Sequence, residues 1–397
     1  MTSMKNLPFG LLLSALSVAA LSPAIAAAQS LPPSLYLPEL VLPRDTLEPA
    51  ANPVVLQTAK PRAPVASFRY TYDGVSKTLA QYQNDAKVRA LLVLRDGKIV
   101  YEYNRFPYSS NSLHQSWSMG KQVLSAAIGI AIDEGAIRSV DDRLDSYEPA
   151  LALNGYAGVT FKQALQMSSG IKYAEEADRF KLFLDAISDY YTGGRSGSGI
   201  RKKALDPALT VAFTPGSQFN YASINTQALT LALEKAVGLR YQDYLQKKLW
   251  APMATEDRAK VLVDRADDAF TFCCLYATTR SYAMFGLLYA QGGKLHGRQI
   301  VSANWVRKST TFAGDPSNWH GVDRAGSPSR VYGFGYHWWP LEGGREDFSA
   351  LGVYGQAIHV LPKQKTVIVR VSGDFDIAGA HSEENVVMGR ALADYLD

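Results

Sequence analysis

The sequence predicts an α/β protein of the α+β kind, with one antiparallel sheet flanked by helices and a mostly helical lobe inserted into it. Three observations lead there. Two β-rich runs, Arg89–Leu94 and Ile99–Tyr103, flank the turn pair Asp96-Gly97. A second pair, Gln356–Leu361 and Thr366–Val371, flanks Pro362-Lys363-Gln364-Lys365 and precedes a helical pattern over Glu383–Tyr395. Between them, from about 140 to 290, short helical patterns alternate with loops, including the Gly-rich stretch Gly193–Gly199. Strands at both ends and a helical middle imply that the two ends of the chain share one sheet. A ligand then belongs in the crevice between sheet and lobe.

Taken from the start, residues 1–28 read as an export signal. Lys5 is the lone charge, a Leu/Ala-rich stretch runs to Ile25, and Ala26-Ala27-Ala28 before Gln29 is a small-residue cleavage site. Pro8, Gly10, three serines and Pro23 interrupt the stretch and no basic stop-transfer follows, which argues against a membrane anchor. No cysteine lies near the cleavage site, which argues against a lipoprotein. The mature protein is expected to be periplasmic or secreted, with no anchor left after cleavage. Residues 29–67 follow as a proline-rich arm: eight of the 19 prolines fall between 31 and 64, a spacing expected to block helices and sheet ladders. Folded structure is expected from near Phe68, so the main domain spans 68–397.

The whole chain has 397 residues, 41 Lys or Arg against 37 Asp or Glu, 47% hydrophobic and 20% charged residues. That composition excludes a wholly disordered chain, a collagen and a coiled coil. Loss of residues 1–28 removes one Lys and no acid, leaving 40 basic against 37 acidic residues, or +3. So small an excess makes no extended basic surface, and no nucleic-acid partner is expected. With no C-x-x-C and no H-E-x-x-H, no metal or other cofactor is expected either. Cys273 and Cys274 are adjacent, with Cα atoms about 3.8 Å apart, below the usual disulfide range, so two buried free thiols are expected.

From Met119 to Gly135, Val123, Leu124, Ala127, Ile128, Ala131 and Ile132 recur at helical spacing, with further apolar residues in the gaps. This helix is expected to be buried nearly all round and to stop at Gly135. No G-x-S-x-G elbow is present, but Ser118-Met119-Gly120-Lys121, an S-x-x-K, stands at the head of that helix. Residues three apart share a helix face with Cβ atoms about 5–6 Å apart, so the Lys121 amine reaches the Ser118 hydroxyl. The helix N-terminus favours an oxyanion. A lysine with a free pKa of about 10.4 is a poor base, and burial lowers it. On these residues alone, an N-capping serine with a snorkelling lysine stays open. A second S-x-x-K, Ser169-Gly170-Ile171-Lys172, has no helical run behind it and reads as a turn. Farther on, the Pro215-Gly216 turn leads to Tyr221-Ala222-Ser223, with the helical run Thr226–Val237 behind it. A tyrosine hydroxyl beside a cationic lysine ionises more easily and relays protons, although Tyr221 is also one of 22 tyrosines and an ordinary core role stays open.

In this order, Ser118–Lys121, Leu165–Gly170, Tyr221-Ala222-Ser223, Ala277–Gly286 and Tyr332–Trp339 resemble the serine β-lactamase-like hydrolases. That family includes class C β-lactamases, D,D-peptidases, family VIII esterases and 6-aminohexanoate-oligomer hydrolases. The resemblance covers roughly residues 70–395 and implies a β-lactamase/transpeptidase-like fold with Ser118, Lys121 and Tyr221 catalytic. The family's K-T-G is absent. Gly352-Val353-Tyr354-Gly355-Gln356 stands in its place and is similar to the 6-aminohexanoate-dimer hydrolase branch. The resemblance implies that the backbone N–H of Val353 partners that of Ser118 in holding an oxyanion. It also implies a small-molecule ester or amide substrate, since the K-T-G cation that would meet a β-lactam carboxylate is missing. A β-lactamase or D,D-peptidase is the alternative of the same fold, and an inactive binding protein the alternative of another class. Further candidates for substrate contact are Tyr173, Trp339 (ahead of Trp338), Tyr354, Gln356 and His381. Glu175, Glu176 and Asp178 either recognise a substrate ammonium or form a solvated cluster.

Overall fold

The computed structural model describes residues 42–175, 178, 182, 199–312, 333–341, 343–373 and 382–397, so the expected signal segment lies outside it. The proline-rich arm departs from expectation. Between Pro43 and Pro49 the chain keeps its N–H groups, and Arg44–Leu47 forms strand β1. Leu42, Leu47 and Leu56 are buried in the main core, and the backbone at Gln57 and Ala59 bonds Ile99. A short gap between prolines is enough for a ladder, because proline removes only its own donor. Folded structure therefore begins well before Phe68.

A small hairpin follows, β2 (Arg69–Tyr72) and β3 (Val75–Thr78), leading into helix α1 (Leu79–Asp85). Thr78 and Gln81 cap α1 reciprocally, each side chain accepting the other's backbone N–H. Next come β4 (Val88–Arg95) and β5 (Lys98–Asn104), the expected first hairpin. Asp96 and Gly97 in its turn both have positive φ, 49° and 74°, which matches the strand twist and explains the Asp-Gly pair. β6 (His114–Gln115) passes through a 3-10 turn at Trp117–Met119 into α2 (Gly120–Asp133), buried at every residue from Gly120 to Ala131. This is the expected all-round buried helix. The lobe then contributes α3 (Phe161–Leu165), α4 (Gly199–Ala204), α5 (Ser223–Val237) and α6 (Tyr241–Leu245).

β7 (Ala259–Leu262) and β8 (Leu275–Ala277) join β1 and β6 in a four-stranded sheet ordered β1-β7-β8-β6. Helix α7 (Thr279–Ala290) packs on the main sheet, so the lobe ends earlier than the expected 290. Gly286 permits that packing: a Cβ there would lie 2.6 Å from Val367 Cγ1 and 2.8 Å from Ile358 Cγ2. A two-stranded hairpin, β9 (Lys294–Leu295) and β10 (Arg298–Gln299), and α8 (Ala303–Thr310) follow. The chain closes with β11 (Trp339–Pro340), β12 (Phe348–Gly352), β13 (Gln356–Leu361), β14 (Thr366–Ser372) and α9 (Ser382–Tyr395).

The main sheet runs β11-β12-β13-β14-β4-β5 with every neighbouring pair antiparallel. Late strand β14 pairs with early strand β4, so the two ends of the chain share one sheet as expected. Leu92, Leu94, Val367 and Val369 face α7 and the main core, whereas Leu91, Val93 and Ile368 face α1 and α9. Both faces are covered, which is why these strands read as continuous apolar runs. Among the described residues, no helix is long and apolar enough to cross a membrane.

Candidate active site

The loop carrying Ser118 is held from the four-stranded sheet. The Ser116 N–H donates to Leu275 O (2.7 Å) and its hydroxyl donates to Cys273 O (2.6 Å). Trp117 then takes φ +47°, a region that bulky residues rarely adopt and that persists only where the surroundings impose it. Ser118 emerges at the head of α2. One turn on, Lys121 is 1% exposed, and its Nζ donates to Ser118 Oγ (2.9 Å), Ser223 Oγ (3.1 Å) and Phe272 O (2.8 Å). The same amine lies 5.0 Å from the Tyr221 ring centroid. The structure thus brings Ser118, Lys121 and Tyr221 together, although the two motifs stand far apart in the sequence.

Asn220 fixes the approach of Tyr221. Its N–H donates to Met167 O (2.7 Å) and its side-chain amide to Ile171 O (3.3 Å) and Tyr173 O (3.0 Å). The Tyr221 ring stacks on Trp339 (5.9 Å, 21°) and meets Phe334 edge-on (6.1 Å, 86°). Trp338 instead packs in the core against Phe285 and Phe348, which leaves Trp339 as the tryptophan beside the site. Tyr173 is partly buried against the core, and its carbonyl accepts from Asn220, the neighbour of Tyr221.

The end of β12 closes the third side. A Cβ on Gly352 would lie 2.6 Å from Ser116 O and 3.1 Å from Trp117 Cβ, so glycine is what lets the strand lie against the Ser118 loop. Tyr354 meets Trp117 edge-on at 5.1 Å. Gln356 corrects the expectation of a substrate contact. Strand alternation turns it inward, where its amide donates to Val353 O (3.2 Å), Tyr354 O (3.0 Å) and Ser372 O (3.0 Å). It braces the 353–355 turn from behind, and Arg370 Nε adds a bond to Gly355 O (3.0 Å).

Glu175 also differs from expectation. It is buried, and its carboxylate accepts the Ser223 hydroxyl (2.6 Å) and the Ser223 N–H (2.8 Å), so it is neither solvated nor open to a substrate ammonium. Asp178 accepts the Ala174 N–H (2.7 Å). Glu176, His381, Tyr332 and residues 193–198 of the Gly-rich stretch lie outside the described residues. Ser169 accepts the Ile171 N–H (3.3 Å) beside Gly170 at φ +79°, and Lys172 is exposed, so the second S-x-x-K is a turn as expected. The two free thiols are overturned: Cys273 and Cys274 form a disulfide, with Cα atoms 3.7 Å apart. The turn that carries them, in which both N–H groups reach Phe270 O, also presents the Phe272 carbonyl to Lys121. Sequence reasoning missed Ser223 and that carbonyl. Ser223 had a signal as the third residue of Tyr221-Ala222-Ser223, whereas a backbone carbonyl leaves none. It also missed His337, fully buried with φ +66°, whose pKa burial, and then the positive charge of Lys121, push down to about 3.

A serine at a helix head, a buried amine in hydrogen-bond contact with it and a tyrosine over that amine thus meet on a β-lactamase-type fold. The chain belongs to the beta-lactamase family, whose sequence profile matches residues 75–392. A 6-aminohexanoate-dimer hydrolase of Paenarthrobacter ureafaciens is 29% identical over 301 residues, 74% of each chain. Among solved structures, a Bacillus anthracis protein assigned as a 6-aminohexanoate-dimer hydrolase superposes with a TM-score of 0.74 at 21% identity, covering 90% of this chain and 91% of the other. A family VIII carboxylesterase gives 0.59 at 16% identity, covering 80% and 95%. The protein is a β-lactamase-fold serine hydrolase related to a 6-aminohexanoate-dimer hydrolase.

Two outcomes are expected from this geometry. Gly352→Ala forces β12 off the Ser118 loop, and kcat on any cleaved ester should fall about 10-fold or more, because displacements near 1 Å at a reacting centre are costly; an unchanged kcat would show that the approach does not matter. His337 is neutral when folded and binds a proton only when unfolded, between about pH 6.5 and 3. The unfolded state therefore gains protons as pH falls through that window, and stability drops. Urea unfolding at pH 6, 5 and 4 should show the wild type losing up to about 1.4 kcal/mol per pH unit more than His337→Asn, which keeps a residue tolerant of positive φ. Parallel losses in the two proteins would contradict this.

Proposed function

We propose that this protein is an exported hydrolase that cleaves an ester or amide through an acyl-enzyme on Ser118. The observation that carries the reading is the 2.9 Å contact between Ser118 Oγ and the enclosed amine of Lys121. In its neutral form that amine takes the hydroxyl proton as the oxygen attacks the substrate carbonyl. The N–H groups of Ser118 and Val353 receive the oxyanion, a role favoured by the helix head at one and the close strand at the other. Tyr221 passes the proton to the leaving alcohol or amine, and water releases the acid by the reverse path. Trp339 and Tyr354 line the acyl side, and Tyr173 assists the leaving group. The rings of Phe219, Phe334 and Trp339 around Tyr221 suit an uncharged chain. The missing K-T-G and the relative named as a 6-aminohexanoate-dimer hydrolase favour a linear amide or ester over a β-lactam.

A fluorophosphonate probe should label Ser118, read by mass spectrometry of the tryptic peptide. Ser118→Ala should lose labelling and turnover, Ser169→Ala should keep both, and Lys121→Ala should be nearly as damaging as loss of the serine. Tyr221→Phe should cost about 10²-fold. Labelling that persists in Ser118→Ala would sink the assignment. A panel of p-nitrophenyl esters, a linear amide, the 6-aminohexanoate dimer and nitrocefin should give ester or amide cleavage with weak nitrocefin turnover; the reverse ranking would move the protein to the β-lactamase side. N-terminal sequencing of the same preparation, expressed in a Gram-negative host, should begin near Gln29, and an intact Met1 would contradict export.

A further inference from the structure

We infer that Glu175 is a positioning residue for the Lys121 amine, acting through the Ser223 hydroxyl. The inference rests on the reading of Lys121 as the base for Ser118. Its ground is hydrogen counting around the Ser223 hydroxyl and the Lys121 amine. Ser223 is fully buried and has one hydroxyl hydrogen. Glu175 Oε1 takes that hydrogen at 2.6 Å, the short distance of a bond to an ionised acceptor. The second carboxylate oxygen accepts the Ser223 N–H at 2.8 Å, which locks the carboxylate in place.

The consequence falls on Lys121. With its hydrogen committed to Glu175, Ser223 Oγ presents only lone pairs to the amine 3.1 Å away. Phe272 O, at 2.8 Å, is a carbonyl and accepts only. A neutral amine has two N–H hydrogens and one lone pair. Two neighbours that must accept take both hydrogens, and the lone pair is left for Ser118 Oγ at 2.9 Å, which must then donate. That is the orientation in which the amine removes the serine proton. The proton passes from Ser118 Oγ to Lys121 Nζ, and the resulting ammonium has three hydrogens for the same three acceptors, so nothing in the cluster has to turn. Glu175 neither gains nor loses a proton. Without its carboxylate the Ser223 hydroxyl is free to rotate and donate to the amine lone pair, in competition with Ser118.

Glu175→Gln tests this with little change of shape. A carboxylate accepts from two donors, whereas an amide offers one oxygen and sets an NH₂ group against the other donor. Steady-state kinetics on the best ester of the panel should show kcat lowered about 10-fold or more with KM within about 3-fold, and fluorophosphonate labelling of Ser118 slowed to match. Ser223→Ala should lower kcat comparably. Where the effect of Glu175 on the amine runs through Ser223, the double variant Glu175→Gln/Ser223→Ala should be no slower than Ser223→Ala alone. A merely structural role predicts a lower melting temperature with kcat intact, and that result overturns the inference, as does a double variant slower by the full Glu175→Gln factor. If Glu175→Gln fails to fold, Ser223→Ala decides: full kcat there overturns the inference. Labelling of wild-type Ser118 separates the two levels, since its absence defeats the reading of the nucleophile itself, while its presence with full kcat in Glu175→Gln defeats only the role of Glu175.

Discussion

The amine of Lys121 is the point on which the rest of the structure turns. It sits 1% exposed in a protein interior, where a polar group without partners costs several kcal/mol. Three oxygens meet it, and they come from three places in the chain: Ser118 at the head of α2, Ser223 in the first turn of α5 and the carbonyl of Phe272 in the turn before β8. Satisfying one side chain therefore pins the central helix, the lobe and the smaller sheet to one another. The polar surroundings of those partners follow the same rule. Ser116 is bonded to the 273–275 backbone, and Ser223 to Glu175, so each element that touches the lysine is itself anchored.

The six-stranded sheet supplies the fourth wall. Its strength lies in the pairing of β14 with β4, which joins late and early parts of the chain and buries both faces of the central strands. The edge that matters for chemistry is the turn between β12 and β13. Gly352 brings it against the Ser118 loop, while Gln356 and Arg370 hold its carbonyls from the inner side. The Val353 backbone is thus carried by a braced sheet edge rather than by a free loop.

The surroundings of Tyr221 have a different character. Tyr221, Phe219, Phe334 and Trp339 bring aromatic faces together where the lobe meets the sheet. Relatives of this fold named for amide, ester and penicillin chemistry share the scaffold at low identity.

Much of this was legible from residues alone. Local patterns established the two hairpins, because Asp96-Gly97 and Pro362–Lys365 carry turn chemistry within a few residues. They established the buried helix after Ser118 too, because apolar residues all round a helix leave no solvent face. The ordered motifs singled out Ser118, Lys121 and Tyr221. Other features depended on partners distant in sequence, and no local pattern encodes them. The strand at Arg44–Leu47 exists because β7 is there to pair with it. Gln356 turned out to brace a backbone turn, and Glu175 to hold a serine, because burial of a polar side chain is decided by what packs around it. The joining of Cys273 to Cys274 depends on the turn in which they sit. Sequence by itself determined the chemistry available and the order of its parts. Only the tertiary structure decided which hydrogen each group gives and to whom, since a hydrogen bond is a matter of a few tenths of an ångström between atoms that the chain places far apart.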